Sequence, residues 1–295
     1  MSRFVVIGDA CVNIHGQAYR DLDLNKINPG AVNISIGGTG LNIARNLKSL
    51  GAEVYLITAI GEDDYSEIIE KKCDEYGINT DYSACVGKSR AAYNIHITDL
   101  AYHTLFEMSD RDVMDIIKPA FLDKCEDIIV SADAVIIDGS IRKDTLTHLV
   151  NNYSVPVFAT PLDAERAEIL KPYNKYYKGY ATDLETAIEI TKRENPEEAA
   201  KVLLSSGLES VFINMKTNGM LAATMDLGAV RVSGLPCVPL NIEGANEAIT
   251  AVSAWGYTEG LSLLDISKAA AKAYSMTMSC KDACNPDISP EKLLR

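Results

Sequence analysis

Short apolar runs alternate with helical stripes along most of the chain, and this alternation most constrains the fold. Residues 4–7 form an uninterrupted apolar run, as expected for a strand that is buried on both faces. Residues 39–50 repeat apolar side chains every three or four positions, which is typical of one helix face. Further strands are predicted at 53–60, 134–137, 155–159 and 210–214, and further helices at 66–76, 144–151 and 196–205. Strands that alternate with helices favour a mostly parallel sheet with helices on both faces.

Two segments, 14–36 and 91–98, interrupt this alternation. The first is polar and lacks a helical period until apolar residues begin to alternate near its end. The second alternates strictly, with Tyr93, Ile95 and Ile97 on one face and Asn94, His96 and Thr98 on the other. A period of two predicts a sheet with one face on an apolar surface and the other in water or over a cleft.

The expected architecture is a single α/β domain with a lid. The sequence contains no internal repeat, low-complexity tract or linker rich in Pro, Gly or Ser. We predict a three-layer α/β/α, doubly wound domain over residues 1–295, built around a mostly parallel sheet. A small β-strand lid is predicted from about 12–35 and 91–104. Because such folds bind ligands outside the carboxyl ends of their parallel strands, we expect the ligand between sheet and lid.

Charge and cysteine content limit the partners. The chain has 28 Lys and Arg against 41 Asp and Glu, for a formal net charge of −13. This surplus argues against nucleic acid and against an anionic membrane, since both require a cationic footprint. No stretch approaches the ~18 apolar residues that a membrane helix needs. The seven cysteines are scattered and odd in number, which is typical of reduced thiols. We therefore expect a cytoplasmic protein with a small-molecule partner.

A glycine-rich turn joins a predicted strand to a predicted helix at Ile-Gly-Gly-Thr-Gly-Leu-Asn, residues 36–42. Gly37 and Gly38 allow a ligand to approach the backbone closely, and the first amides of the helix supply donors. Asn42, one turn into the helix, can direct its carboxamide toward a polyol. A tight strand–helix turn would also explain the glycines, so the motif alone leaves both interpretations open.

A second entry into a helix lies about 200 residues later, at Asn241-Ile-Glu-Gly-Ala-Asn-Glu-Ala. Free N–H groups at a helix start bind a phosphate or a developing oxyanion. A carboxylate there, Glu247, can remove a proton from a substrate hydroxyl. Alternatively, Glu247 is a first-turn acid that interacts favourably with the helix dipole.

The two stretches, in this order, resemble those of the ribokinase-like carbohydrate kinases, also called the phosphofructokinase-B family. Residues 28–47, with Asn-Pro-Gly followed by Ser-x-Gly-Gly-x-Gly-x-Asn-Ile-Ala-x-Asn-Leu, look most like pseudouridine kinases. The resemblance covers nearly the whole chain and includes Gly61-Glu-Asp-Asp, Ser109-Asp-Arg-Asp and Asn285-Pro-Asp-Ile-Ser-Pro. It implies ATP-dependent transfer of the γ-phosphoryl group to a primary hydroxyl of a sugar or nucleoside, with pseudouridine as the expected acceptor.

The resemblance also implies roles for single residues. The residues expected to bind the acceptor are Asn13, Gly37, Gly38 and Asn42, with His96 on the polar face of the lid strand as a further candidate. The residues expected around the transferred phosphoryl group are Gly244, Ala245 and Asn246, through their amides, and Glu247 as the base. The residues expected to bind ATP are Thr182, Glu185, Lys216 and Gly219. Glu185 would place Mg²⁺ through water, and a monovalent cation is a further candidate cofactor.

The chain departs from the family's pattern mainly on the phosphate side. Glu247 replaces an Asp and is one methylene longer, which changes the reach of the base. Asn246 replaces a Gly, so a side chain stands where a phosphate oxygen should pass closely. Thr182 replaces the Asn of N-x-x-E, and Thr182 with Glu185 also matches a capping box, which would explain both without metal. Lys216 replaces a Gly and could either neutralise a phosphate or fill the pocket.

The acceptor side departs less. Cys11 and Asn13 stand where the family has Asn and Asp, so Asn13 can still bond hydroxyls but carries no charge. On the phosphate side, Asn241-Ile242 also replaces the usual Asp-Thr before the second motif. This asymmetry leaves two functions open, an active kinase or a catalytically impaired homologue that binds a sugar or nucleoside. The apolar face of 91–98 exceeds what a two-layer lid alone would bury, and such faces are commonly covered by pairing. We therefore predict a homodimer through the lids.

Overall fold

The computed structural model describes residues 1–23, 25–101, 103–161, 163–240 and 243–295. The strands are, in chain order, β1 (Arg3–Ile7), β2 (Cys11–Ala18), β3 (Gly30–Gly37), β4 (Glu53–Ile57), β5 (Ala59–Ile60), β6 (Ala84–Cys85), β7 (Ala92–Thr98), β8 (Thr104–Asp110), β9 (Ala134–Asp138), β10 (Val157–Thr160), β11 (Tyr177–Asp183), β12 (Ser210–Asn214), β13 (Met220–Thr224) and β14 (Gly228–Val232). The helices are α1 (Thr39–Ser49), α2 (Asp64–Glu75), α3 (Pro119–Leu122), α4 (Glu126–Val130), α5 (Lys143–Asn152), α6 (Ala164–Leu170), α7 (Leu184–Thr191), α8 (Pro196–Ser205), α9 (Ala245–Thr258), α10 (Leu263–Met278) and α11 (Pro290–Leu293). Within the described ranges, no helix combines the length and apolar character needed to cross a bilayer.

An eight-stranded sheet in the order β14-β13-β12-β11-β10-β9-β1-β4 forms the centre of the molecule. Every pairing from β4 across to β12 is parallel, whereas β13 and β14 add two antiparallel pairings at one edge. The predicted α/β fold with a mostly parallel sheet is therefore confirmed. The parallel strands end at the same edge, where Asp138, Asp183 and Asn214 are the last residues of β9, β11 and β12.

Helices cover both faces of this sheet. Phe4 and Val6 of β1 pack in one apolar cluster with residues of α1, α9 and α10. Val5 and Ile7, the alternate residues of the same strand, pack in a second cluster with residues of α5 and α8. A strand that is buried on both faces produces an unbroken apolar run rather than an alternation, which is the pattern that residues 4–7 show.

A separate four-stranded sheet in the order β3-β2-β7-β8 forms the lid. β2 pairs antiparallel with β3 and parallel with β7, and β7 pairs antiparallel with β8. The predicted lid segment 91–104 is too short, because β8 extends it to residue 110. All seven residues of β8 are exposed, so the strand lacks the buried alternation that marks a half-buried strand in a sequence.

The register of the lid separates a polar face from an apolar one. Neighbouring strands place Asn13 beside Asn94 and Asn94 beside Ser109. One pleat further along the same face are His15, His96 and Glu107. The residues of the opposite face include Ile14, Val32, Ile34, Ile95, Ile97 and Phe106. Because Ser35 and Asn33 of β3 pair with Asn13 and His15, the polar face is continuous across four strands.

One predicted strand is divided in the structure. Residues 53–60 form β4, which pairs with β1, and β5, which pairs with β6 in a different sheet. The prediction of one continuous strand is wrong. The mostly apolar sequence continues across both strands and gives no sign of the break, but the hydrogen-bonding partner changes at Thr58.

Candidate active site

A cleft of about 740 Å³ opens between the lid and the carboxyl ends of the parallel strands. The polar face of the lid forms one wall, and the starts of α1 and α9 lie across from it. The predicted site residues that line this cleft are Asn13, Gly38, Asn42, His96, Glu185, Lys216, Gly244, Ala245, Asn246 and Glu247. The fold therefore brings together residues that lie in six separate regions of the sequence.

A relay of polar side chains crosses the lid end of the cleft. Ser109 Oγ donates to Asn94 Oδ1 at 2.6 Å, and Asn94 Nδ2 donates to Asn13 Oδ1 at 3.2 Å. Asn13 Nδ2 in turn donates to Glu243 Oε2 at 3.3 Å. Asn13 and Asn94 are both buried, so these bonds fix the orientation of their amides. Carboxamide groups of this kind can both donate hydrogen bonds to substrate hydroxyls and accept hydrogen bonds from them.

The glycine-rich turn has a structural role as well as a position beside the cleft. Gly38 adopts φ 107°, in the region that favours glycine. A Cβ at Gly38 would lie 2.8 Å from the Asp9 carbonyl oxygen, and one at Gly37 would lie 2.8 Å from Asn13 Nδ2. Gly37 lines a second cavity that adjoins the cleft at Asn13. The tight turn therefore accounts for both glycines, and the close approach of a ligand to them stays a prediction.

Asn42 is held so that its donor faces the turn. The Cys284 thiol lies 3.6 Å from Asn42 Oδ1 and can donate to it, while Asn42 Nδ2 would be 3.8 Å from a Cβ at Gly37. The residue is buried and lines the cleft. The structure thus places a carboxamide donor where the sequence predicts contact with a polyol.

The start of α9 supplies backbone donors to the cleft. Gly244 is the N-cap with φ 84°, and a Cβ there would collide with the Ala283 carbonyl oxygen. Only glycine fits this entry without movement of the chain. The N–H groups of the first turn, at Ala245, Asn246 and Glu247, have no carbonyl partner within the helix. They form a positive helix end that is suited to an anion.

Glu247 lies at the bottom of the cleft between the starts of α1 and α9. Thr39 Oγ1 donates to its Oε1 at 3.3 Å. The side chain is half-buried in terms of solvent exposure. Protein atoms nevertheless surround its carboxyl group, and this loss of hydration raises the pKa of Glu247 to about 7. A carboxylate poised near neutral pH is suited to take a proton from a hydroxyl.

Three charged residues beside the acceptor end were not predicted from the sequence. Arg111 Nε donates to Asp9 Oδ2 at 2.8 Å, and the Asp9 N–H donates to Asp138 Oδ2 at 2.8 Å. Both carboxyl groups are fully buried, and burial together with the Asp9 charge raises the pKa of Asp138 to about 7. Asp9 and Asp138 each come at the end of an apolar run in the sequence, which is the signal that could have identified them.

The far end of the cleft carries an ion pair. Lys216 Nζ lies 2.6 Å from Glu185 Oε1, and both side chains are more than half exposed. Lys216 adopts φ 54°, a conformation that glycine adopts with less strain. Asp183 also lines this end, and Mg²⁺ is usually held by one or two carboxylates together with phosphates and water. In the ranges that the structure describes, no group of three or more His, Cys, Asp or Glu is arranged to hold a metal ion.

Two residues predicted to bind ATP lie outside the cleft lining. Thr182 is buried within β11, and the capping-box interpretation is wrong because Asp183 caps α7, accepting from the Thr186 N–H at 2.8 Å. Gly219 has φ 100°, and a Cβ there would collide with the Val232 carbonyl oxygen. The packing of the β12–β13 turn therefore accounts for Gly219. The departure at Asn241-Ile242 lies outside the described residues.

Comparisons with known proteins agree with this fold. The sequence profile of the pfkB family of carbohydrate kinases matches residues 1–290. The pseudouridine kinase of Escherichia coli is 24% identical, over 97% of this chain and 93% of that protein. The structure of Arabidopsis thaliana ribokinase complexed with ribose and ATP superposes with a TM-score of 0.82 and 18% identity, covering 100% of this chain and 98% of that one. A nucleoside kinase from Burkholderia thailandensis in complex with inosine superposes with a TM-score of 0.79 and 14% identity, covering 98% and 95%. The chain therefore belongs to the pfkB family of carbohydrate kinases, which are phosphotransferases.

Proposed function

We propose that the protein transfers the γ-phosphoryl group of ATP to a hydroxyl of an uncharged nucleoside or sugar, with pseudouridine as the favoured acceptor. The observation that carries this proposal is the position of Glu247 beside the first-turn amides of α9, in the same cleft as Asn13 and Asn94. A base, an anion-binding helix end and a set of hydroxyl-binding amides are the three parts that such a transfer requires.

In this reaction Glu247 accepts the proton of the acceptor hydroxyl. The hydroxyl oxygen forms a bond to the γ-phosphorus, and the bond between that phosphorus and the bridging oxygen of ADP breaks. The amides of Ala245 and Asn246 stabilise the charge on the transferring group, because their N–H groups point toward the anion before the reaction begins. Mg²⁺, which Asp183 and Glu185 would hold through water, would neutralise the phosphate charge.

The charges around the cleft favour an uncharged acceptor. The acidic residues that line it are Glu107, Asp163, Asp183, Glu185, Glu243 and Glu247. The Lys and Arg residues among the lining residues are Arg111, which is paired with Asp9, and Lys216, which lies at the far end. A phosphate or carboxylate group already present on the acceptor would be repelled by this net negative surface. Phosphorylated sugars are therefore poorer candidates than nucleosides and free sugars.

The choice of pseudouridine rests on the front motif, residues 28–47, and on the similarity to the Escherichia coli enzyme along nearly the whole chain. A second candidate function is a homologue that binds the nucleoside or sugar without transfer. It is favoured by the Lys216–Glu185 ion pair, because this pair engages two of the cleft residues that were predicted to bind ATP.

Acceptor-dependent release of ADP separates the two functions. The panel contains pseudouridine, uridine, inosine, ribose and fructose 6-phosphate, each with and without Mg²⁺ and K⁺. We expect turnover with pseudouridine, little with the sugar phosphate, and a thermal shift from each productive acceptor. If no acceptor increases ADP release, and nucleosides raise the thermal unfolding temperature while ATP with Mg²⁺ does not, the binding function is supported instead.

The base is tested by Glu247→Gln, which keeps the size of the side chain but cannot accept the proton. Loss of a general base lowers kcat by about 10²–10⁴-fold. Glu189→Gln on the exposed surface of α7 removes one carboxylate elsewhere and should leave kcat unchanged. If Glu247→Gln is as active as the native protein, Glu247 is not the general base.

A further inference from the structure

Two asparagines pair at the phosphate end of the cleft. Asn214 is the last residue of β12 and is buried, and Asn246 is the second residue of α9. Asn214 Nδ2 donates to Asn246 Oδ1 at 2.6 Å. Both residues line the cleft, so the side chain that was expected to obstruct the phosphate is held by a neighbour in one position.

The backbone fixes which way both carboxamides face. The N–H of Lys216 donates to Asn214 Oδ1 at 2.8 Å. A backbone N–H can only donate, so the oxygen of Asn214 must face it, and the Nδ2 of Asn214 must face Asn246. The atom of Asn246 that meets this donor must be its oxygen. Asn246 Nδ2 is therefore turned away from Asn214, on the other side of the carboxamide.

This orientation changes what Asn246 offers to an anion. A glycine at this position would supply only its backbone N–H, whereas Asn246 supplies that N–H and a side-chain NH₂ group on a residue that lines the cleft. The opposite orientation would present an oxygen, which repels a phosphoryl oxygen. The bond from Asn214 is what excludes that orientation.

We propose that the Asn246 side chain donates to the transferring phosphoryl group and that Asn214 is the positioning residue that orients it. The proposal rests on the proposed function and assigns a specific role to its anion-binding site. The added donor compensates for the bulk that Asn246 brings. Asn214 itself acts only through Asn246.

The variant Asn214→Asp tests the orientation directly. One carboxylate oxygen of this variant still accepts from the Lys216 N–H, but the other oxygen now faces Asn246. Since two oxygens repel, the Asn246 carboxamide rotates by about 180°, donates to the new carboxylate, and turns its own oxygen toward the phosphoryl group. We expect kcat to fall about 10²-fold, as for loss of an oxyanion donor, with the acceptor KM unchanged.

Two controls separate orientation from charge. Asn218→Asp introduces the same negative charge four residues later, at an exposed position in the turn that follows β12, and should change kcat by less than about threefold. In the Asn246→Gly background, where no carboxamide can rotate, Asn214→Asp should also change kcat by less than about threefold, so that the two changes are strongly non-additive. Thermal unfolding of each variant checks that the fold is retained.

Each outcome decides the inference. Independent effects of the two changes, or an Asn214→Asp variant as active as the native protein, would overturn the role of the carboxamide while leaving the kinase function intact. If the native protein releases no ADP with any acceptor, the proposed function fails, and the same four variants are compared by calorimetric titration with ATP. Weaker ATP binding in Asn214→Asp that disappears in the Asn246→Gly background would still support the oriented donor. Equal ATP affinity in all variants would contradict it.

Discussion

The carboxylate of Glu247 is subject to opposing effects. Enclosure by protein raises its pKa, while its own backbone N–H and the Thr39 hydroxyl favour the charged form and lower it. Enclosure is the larger effect, so the pKa is about 7. A base must be deprotonated to act, and the logarithm of kcat/KM should therefore rise with unit slope below about pH 7 and level off above it.

The pH profile of the Glu247→Gln variant is the control for this prediction. The pKa of Asp138 is also raised to about 7, so a rising limb alone does not identify the base. Residual activity of Glu247→Gln should be independent of pH between about 5 and 8. A limb that persists in this variant would assign the titration to Asp138 and contradict the assignment to Glu247.

Local sequence signals predicted several of the residues that the structure places at the cleft. Gly38, Asn42 and Gly244 lie in turns and first helical turns, whose composition follows directly from conformation and capping. Arg111 and Asn214 were missed because their roles arise from partners that are distant in the sequence, at Asp9 and at Asn246. No local pattern indicates such a pair.

At the scale of elements, burial alone does not make a strand predictable, since β11 and β13 are largely buried but were not predicted from the sequence. β1 and β12 were predicted because their apolar residues form continuous runs. β8 and β14 were missed because nearly all of their residues are exposed or partly exposed, so their hydrogen-bonding partners, rather than their composition, define them. The strand β8 matters for the site because it brings Ser109 to the relay that ends at Glu243.

The entry into α9 is the element on which the phosphate site most depends. In Gly244→Ala, a left-handed conformation costs about 1–2 kcal/mol, and the added Cβ also meets the Ala283 carbonyl oxygen. Gly260→Ala is the matched control, since Gly260 follows the same helix with φ 69° and open space around its Cβ. We expect Gly260→Ala to lose about 1 kcal/mol of unfolding free energy and to keep ATP affinity.

Gly244→Ala should lose more stability than this control and at least tenfold in ATP affinity, because the first-turn amides move with the helix entry. Thermal unfolding and calorimetric titration measure the two quantities. Equal losses in both variants would mean that the chain near Ala283 yields to the added methyl group and that the entry is less constrained than its packing indicates.

At the scale of the whole molecule, the lid leaves an apolar face uncovered. Val32, Ile97 and Phe106 lie side by side on the face opposite the cleft. Val32 is 69% exposed and Phe106 is 47% exposed, and an apolar cavity of about 470 Å³ lies among them. Contiguous exposed apolar surface of this kind is characteristic of an interface. We therefore propose that two copies of the chain associate through their lids.

Light scattering at micromolar concentration should give a mass twice the 32.1 kDa of one chain. Val32→Lys places a charge in the proposed interface and should give the monomer mass, whereas Val202→Lys on the exposed side of α8 should remain dimeric. Asn13 and Asn94 belong to the same four-stranded sheet, so the monomeric variant should also bind the acceptor more weakly, with a higher KM and little change in kcat. A native protein that is monomeric at this concentration would contradict the interface, and the exposed face would then need another explanation.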